Sequence, residues 1–464
     1  MRYYKKKMKK QFLAYIKKHD LASPKELILL AISGGIDSML MAHLFLENGF
    51  EVIIATCNHN LRGEESRADA EFVVDFFREN KKVKSTHLID LEVNAYVEKH
   101  KSNLQEAARI LRYDALFDLA KRENITHIAT AHNLDDNVET TLFNLANKTG
   151  IRGLTGIKSI SENKKFAGIK LIRPLLFAPK KDILAYAKIN QIPFREDSTN
   201  ASDKYSRNFI RHNIVPQLEQ INAGFLKNAS ETINFLSDYE QLIDFLLNDI
   251  KKKITTEENN ILKINYSQLK NYPSISTILF EIVKDFGFNA AQVSEVIYAL
   301  ESCHSGKVWK SNTHELLCDR GNILIRILNK KNIQNIKNEY FIQQENCKVS
   351  TPQGILEFEF IEKAPVTFPN NPNIIFLDVT KTAFPLCVRY WKEGDFFLPL
   401  GLSGKRKKVQ DFFTNLKLNL FQKEETLILE CDNQIAWVVG HRSDHRFRIT
   451  SSTSIVLKIT YSPV

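Results

Sequence analysis

A run of six apolar residues, Leu27 to Ile32, stops at Ser33-Gly34-Gly35-Ile36-Asp37-Ser38, and helix-forming residues continue from there to Glu47. Few junctions leave a chain so little choice. A short apolar run bounded by glycines reads as a buried strand, and a buried strand that feeds directly into a helix begins the βαβ unit of a parallel sheet. At the helix start the backbone N–H groups have no partner inside the helix, and the dipole places partial positive charge there. Gly34 and Gly35 let the main chain approach a phosphate, and the hydroxyls of Ser33 and Ser38 add donors. Asp37 is out of place in a bare anion cradle, because a carboxylate repels phosphate. It fits where a divalent cation lies between it and the phosphates. The bland alternative is a strand-to-helix turn with glycines for geometry and a serine cap. Serine on both sides and the internal aspartate favour the phosphate site. The Walker pattern of spaced glycines followed by Lys-Ser/Thr is absent.

The strand–helix alternation continues to about Pro216. Glu51–Cys57, Val83–Ile89 and Thr126–Ala131 are strand-like, and Glu65–Glu79, Leu104–Arg122 and Asp135–Asn147 are helical. This predicts an α/β fold over residues 1–216, a doubly wound parallel sheet with helices on both faces. Ligands of such sheets bind beyond the carboxyl ends of the strands, where the Ser33–Ser38 loop, Asn58-His59 and His132 all fall. Ahead of it, Met1–Asp20 reads as a basic helix packed on the domain through Phe12, Leu13 and Ile16. From Ile210 to about Ser302 strand signal is weak and helical spacing strong (Phe235, Tyr239, Leu242, Phe245, Leu246), which predicts a mainly helical middle domain, residues 217–330. Strand-like runs return after Gly306. A Lys/Asn-rich linker, Asn329 to Asn338, leads into a small β-rich (α+β) C-terminal domain, residues 331–464, with Ile374–Leu377 and Ile435–Val439 as strands. No internal repeat is evident.

A net charge of +10 points to a polyanionic partner. The six cysteines include no Cys-x-x-Cys pair, so neither a zinc nor an iron–sulfur site is expected. No apolar run approaches the ~20 residues of a membrane span, and Gln11–Asp20 lacks the apolar core of a signal peptide. A cytoplasmic protein is expected.

The block Ala131-His132-Asn133-Leu134-Asp135-Asp136-Asn137-Val138-Glu139-Thr140 follows a strand and opens a helix. His132, Asp136 and Glu139 are spaced to share one helical face. Carboxylates at the mouth of a phosphate site suit two tasks: binding Mg²⁺ together with Asp37, or binding the ammonium of an amine nucleophile. An acidic helix start also accommodates Asp and Glu through the dipole alone, which suffices for Asp135. A second helix carries Arg109 and Arg112, followed by Tyr113; aimed at a phosphate, these guanidiniums would stabilise charge that builds during transfer. Asn58 and His59 end the second strand, where doubly wound sheets contact adenosine. Arg173-Pro174-Leu175-Leu176, Glu196-Asp197-Ser198-Thr199-Asn200 and Arg207-Asn208-Phe209-Ile210-Arg211 are polar or basic segments toward the domain edge.

The Ser33–Ser38 loop resembles that of ATP enzymes that release AMP and pyrophosphate, the PP-loop superfamily. The whole set resembles one family within it, the tRNA(Ile)-lysidine synthetases. The matching pieces are this loop, Asn58–Arg62, Glu106-Ala107-Ala108-Arg109 with Arg112-Tyr113, His132–Thr140, Gly150–Gly156, Arg173–Leu176, Glu196–Asn200 and Arg207-Asn208. In the C-terminal domain they continue with Trp391–Asp395, Pro399-Leu400-Gly401 and Gly404-Lys405-Arg406-Lys407-Lys408-Val409-Gln410-Asp411-Phe412-Phe413. The family commonly has Gly at Asn60, His at Asn133 and Gln at Asn137.

The resemblance implies ligation of free L-lysine to C2 of the wobble cytidine of a CAU-anticodon isoleucine tRNA, through an adenylated base, with ATP consumed. It implies that Ser33, Gly34, Gly35, Ile36, Asp37, Ser38, Asn58 and His59 bind ATP and that Asp37 and Glu139 hold Mg²⁺. Arg112 and His132 would act at the α-phosphate, and Asp136 and Glu139 would bind the lysine side chain. Arg207 and the cluster Lys405, Arg406, Lys407 and Lys408 would contact tRNA. The family is commonly dimeric. Two rival readings are a PP-loop tRNA thiolase, disfavoured because only Cys57 lies in the α/β domain, and a non-catalytic tRNA-binding relative, disfavoured because the site positions are all filled.

Overall fold

The computed structural model describes residues 2–61, 63–195, 206–328, 339–343, 347–362, 368–402 and 404–463. Arg62 and the segment Glu196–Asn200 lie outside the described residues. Contacts divide the chain into two units, Met1–Phe245 and Leu246–Val464.

In the first unit the apolar run becomes β1 (Leu27–Ala31). It pairs in parallel with β2 (Glu51–Asn58) on one side and β4 (His127–Ala129) on the other. With β3 (Val83–Asp90), β6 (Lys170–Ile172) and an antiparallel edge strand β5 (Ile160–Glu162) the sheet runs β3-β2-β1-β4-β6-β5. Alternation along the strands assigns each side chain to a face. Ile28, Leu30, Val52 and Ile54 join one core with Phe12, Phe45 and Ile183. Leu29, Ile53 and Ala55 join the other with Leu116, Phe117 and Leu119. Helices α1 (Arg2–Lys18), α2 (Ile36–Glu47) and α8 (Lys180–Asn190) therefore cover one face. Helix α5 (Leu104–Arg122) covers the other. The N-terminal helix packs through Met8, Phe12 and Ile16, while Leu13, expected beside them, is exposed. The chain leaves β1 toward β2 and returns at β4 on its other side, so a crevice opens beyond the carboxyl ends of β1 and β4.

Helix α11 (Phe225–Ile254) spans thirty residues. Its helical spacing is as expected, but Phe235, Tyr239, Leu242, Phe245 and Leu246 are exposed, and the side buried in the first unit is set by Ile233 against Leu134 and Val138. Periodicity identifies a helix; it does not say which stripe is covered.

In the second unit, helices including Ile275–Val283 and Ala290–Glu301 pack on a five-stranded antiparallel sheet. Three of its strands, Val308–Lys310, His314–Asp319 and Asn322–Ile327, lie where the sequence returns to strand-like runs. The hairpin Thr255–Glu258 with Ile261–Asn265 lies in a stretch whose strand signal is weak. Its first strand, Thr-Thr-Glu-Glu, carries no apolar residue. The turn between, Asn259-Asn260, has both φ values positive (50° and 59°), the geometry that closes a two-residue hairpin. The C-terminal part holds a five-stranded and a four-stranded sheet around the fully buried Trp437, and includes the expected strands at Ile374–Asp378 and Gln434–Val438.

Candidate active site

The Ser33–Ser38 loop sits at the end of β1 with its hydroxyls turned to its own backbone. Ser38 Oγ donates to the Gly35 carbonyl (2.9 Å) and accepts from Ser33 N (3.2 Å), and Gly35 N donates to Ser33 Oγ (3.4 Å). Gly34 has φ +84°, so the left-handed turn calls for glycine; a Cβ there would lie 3.4 Å from Val73 on α3 (Glu64–Phe77), an ordinary contact. Helix α2 begins at Ile36 without a side-chain cap, leaving its first N–H groups toward the crevice.

Asp37, in the first turn of α2, is engaged on both oxygens. Oδ1 accepts from Asn133 Nδ2 (3.1 Å) and Oδ2 from Lys180 Nζ (2.5 Å). Asn133 is buried and caps α6 (Leu134–Ala146): its Oδ1 accepts from Asp136 N, and Asp136 Oδ2 accepts from Asn133 N, both at 3.0 Å. The helix starts at Leu134, so Asp136 and Glu139 share its face as the spacing predicts. His132 precedes it, on the loop, and is not part of that face.

The acidic pair is met by Arg211, in the π-helical turn Ile210–Ile214. Its Nε and Nη2 grip Glu139 at 2.7 and 2.8 Å, and Nη2 also reaches Asp136 Oδ1 at 3.0 Å. Burial pulls the guanidinium down, but Glu139, Asp136 and Asp37 outweigh it and hold Arg211 charged. Burial raises Glu139, whose side chain is only 5% exposed, and also Asp136, in each case against the opposing pull of Arg211. Three carboxylates thus face two cations, Lys180 and Arg211. Mg²⁺ in nucleotide sites takes one or two carboxylates and completes its shell with phosphate oxygens and water. Asp37 and Glu139 offer such donors. Among the described residues no group of three or more His, Cys, Asp or Glu is placed to hold a metal by itself.

The other side of the crevice is cationic. His132 Nδ1 pairs with Thr130 Oγ1 (3.1 Å), and burial first, then the charges of Arg173, Arg112, Arg109 and Arg207, lower its pKa to about 3. It is a neutral imidazole at any physiological pH. Arg109 and Arg112 stack against Tyr113, 5.5 and 5.2 Å from the ring centre. Arg207 is exposed beside Phe143. Arg173 is buried, ties to the Lys158 carbonyl (2.6 Å) and Ser161 Oγ (3.1 Å), and leaves Nε without a partner.

At the end of β2, Asn58 is 1% exposed and its amide is taken up by Asp90 (2.8 Å) and Asn60 (2.7 Å). Asn60 has φ +52°, a left-handed conformation that asparagine tolerates better than most residues. His59 is half-buried with Nδ1 unpartnered, and burial followed by Arg112 lowers its pKa. The Gly150–Gly156 segment is pinned by contact: a Cβ on Gly156 would lie 2.2 Å from Asn137 Oδ1, which accepts from Ile157 N. It is also tied to α11, where buried Glu240 accepts from Thr155 and Lys158.

Lys405 to Lys408 lie in the second unit. Lys407 and Lys408 pair as a short strand with Phe396-Phe397, and Arg406 stacks over Phe396, 3.4 Å from the ring centre. Arg389, gripping Asp395 and Glu430, anchors the preceding turn.

Local sequence pattern assigns no role to two site residues, Lys180 and Arg211, the second of them at the end of the basic segment Arg207–Arg211. Lys180 has a legible signal. It is the first residue of a helix, preceded by Pro179 and followed by Lys181, and cations at a helix start run against the dipole.

A strand–glycine loop–helix at the switch point of a parallel sheet, with carboxylates on one side and guanidiniums on the other, defines a PP-loop ATP-using enzyme. The family model for the PP-loop domain matches residues 4–218. Models for the TilS substrate binding domain and the TilS substrate C-terminal domain match 257–330 and 386–459. The tRNA(Ile)-lysidine synthase of Parabacteroides distasonis is 37% identical over 450 residues, 96% of this chain and 98% of its own. That of Bacteroides thetaiotaomicron is 32% identical over 451 residues, 97% and 99%. The chain belongs to the tRNA(Ile)-lysidine synthase family. Among solved structures, the U34-tRNA thiolase NcsA of Methanococcus maripaludis aligns over 51% of this chain and 80% of its own, with 19% identity and a TM-score of 0.43. No helix among the described residues is long and apolar enough to cross a membrane.

Proposed function

We propose that the protein ligates free L-lysine to C2 of the wobble cytidine in a CAU-anticodon isoleucine tRNA, acting in the cytoplasm. The observation that carries this reading is the near full-length match to tRNA(Ile)-lysidine synthases, joined to a site with an acidic and a cationic wall. Residues 1–216 form the catalytic domain, and residues 217–330 and 331–464 grip the tRNA.

In the first step the cytidine O2 attacks the α-phosphorus of ATP. The bond to the bridging oxygen breaks, and its electron pair leaves with pyrophosphate. The N–H groups of Ser33 to Ser38 hold the triphosphate, and Arg112 faces the charge that grows on the α-phosphate. Neutral His132 serves there as a hydrogen-bonding group and not as a cation. His59 and the backbone around Asn58 line the nucleoside. Asp37 and Glu139 would hold Mg²⁺, which when bound neutralises phosphate charge. In the second step the lysine ε-amine attacks C2. The C2–O bond breaks, AMP leaves with its electrons, and the amine gives up a proton. Asp136 and Glu139 draw the amine in, and to do so they exchange the Arg211 guanidinium for the lysine ammonium. A base in a single-stranded anticodon loop reaches such a pocket at small unstacking cost. Arg207, Lys405, Arg406, Lys407 and Lys408 contact tRNA phosphates, and the family resemblance implies a homodimer.

Asp37→Ala tests the first half: a folded variant should release no pyrophosphate with ATP and tRNA, and normal turnover would remove Asp37 from the mechanism. Asp136→Asn tests the second: the KM for lysine should rise while adenylation without lysine persists, and an unchanged KM would take Asp136 out of the amine subsite.

A further inference from the structure

The phosphate loop contains no lysine, yet one reaches it from another part of the chain. The strand ends after β4 and β6 run side by side. Asn133 bridges Leu175, and Leu134 N donates to the Ala178 carbonyl (3.1 Å). That places the start of α8 against the start of α6, where Lys180 N donates to Asp135 Oδ2 (2.8 Å) and Lys180 Nζ reaches Asp37 Oδ2 (2.5 Å). The side chains of Lys180 and Asp37 are 37% and 27% exposed, so the pair faces the crevice and is not part of the core. A lysine at the first position of a helix is disfavoured by the dipole, and here it stands beside the one carboxylate of a phosphate-binding loop.

We infer that Lys180 is a phosphate-binding residue of the site, parked on Asp37 until nucleotide arrives. The inference rests on the reading of Ser33–Ser38 as an ATP loop. Asp37 cannot give Oδ2 fully to a divalent cation and to Lys180 at once. When the nucleotide and its cation bind, the ammonium is released from Asp37 within side-chain reach of the β- and γ-phosphates held by the loop. As the bond from the α-phosphorus to the bridging oxygen breaks, the electron pair settles on pyrophosphate, and Lys180 meets that charge. The same ammonium keeps the acidic wall compensated in the empty enzyme.

Two ligands measured separately on the full chain, without tRNA, give opposite expectations for Lys180→Met. ATP with saturating Mg²⁺, followed by titration calorimetry, should bind roughly tenfold or more weakly, the scale of one charge-assisted contact. Mn²⁺ alone, followed by its paramagnetic resonance signal, should bind more tightly, because Asp37 no longer has a competing cation. Lys180→Arg, which keeps the charge, should recover most of the ATP affinity and guards against a variant that merely fails to fold. A purely structural tether predicts that losing Lys180 leaves ATP affinity unchanged or weakens both ligands, and either result overturns the inference. Wild-type protein that binds no ATP even with Mg²⁺ would instead overturn the ATP reading of the loop itself.

Discussion

Replacing Arg211 by methionine removes the counter-charge from Asp136 and Glu139 while keeping an apolar stem of similar length. Three charge-assisted hydrogen bonds disappear, two of them a bidentate grip on Glu139. Breaking a buried pair costs about 3–5 kcal/mol because one charge is left uncompensated. Glu139 is only 5% exposed but Arg211 is 39% exposed, so water offsets part of this and about 2–3 kcal/mol is the expected loss. The loss should depend on pH in a definite direction. Glu139 already titrates above its ordinary 4.5 because of burial, and without Arg211 its folded pKa rises further. Between the wild-type and variant values the folded variant holds a proton that the folded wild type has released. The variant's deficit is therefore smallest below the wild-type folded pKa, itself above 4.5, and widens from there up to the variant's value, by up to about 1.4 kcal/mol per pH unit. Urea unfolding of Arg211→Met, Glu139→Gln and the double variant at pH 4.5 and 7.5 measures this. The double variant should be less destabilised than the sum of the singles by about 1.5 kcal/mol or more at pH 7.5. Additive effects, or a deficit independent of pH, would refute the argument that Arg211 is there to compensate buried carboxylates.

Three other outcomes follow from the geometry. His132 has a folded pKa of about 3 against 6.5 unfolded, so below pH 6.5 the unfolded chain takes up a proton that the folded chain refuses, and stability falls as pH drops toward 3. His132→Asn should flatten that acid slope in denaturant titrations, and an unaltered slope would place the acid sensitivity elsewhere. At Asn60, φ +52°, glycine and alanine both remove the acceptor for the Asn58 amide, and alanine should lose about 1 kcal/mol more than glycine, read from unfolding midpoints; equal losses would contradict the backbone argument. Alanine at Lys405, Arg406, Lys407 and Lys408 together should raise the KM for tRNA far more than that for ATP and reduce the salt dependence of tRNA binding, whereas equal changes in both KM values would assign the cluster another role.

What was legible in the sequence is what local patterning encodes. The buried strand, the glycine turn and the alternation of elements gave the parallel sheet and its switch point. Spacing on α6 placed Asp136 and Glu139 together. What escaped depends on long-range contacts: Lys180 meets Asp37 across 143 residues and Arg211 meets Glu139 across 72. No local period reports such a pairing, although two lysines in the first turn of α8 marked a helix start that needed an anion nearby. The Thr255–Asn265 hairpin escaped because its first strand is wholly polar, and only the Asn259-Asn260 turn signalled it. Asn133 illustrates the opposite case. Its capping box with Asp136 is local, but the same side chain also holds Asp37, so one residue fixes two elements of the site.

In the proposed mechanism the cationic and acidic walls serve one reaction, adenylation of a base followed by attack of an amine. Incubating the protein with ATP, labelled lysine and an isoleucine tRNA transcript with a CAU anticodon tests it most directly. One lysine should be joined to the RNA for each AMP and each pyrophosphate released, with the label at the wobble cytidine. No incorporation by folded protein on intact transcript, or AMP release without any lysine in the RNA, would contradict it.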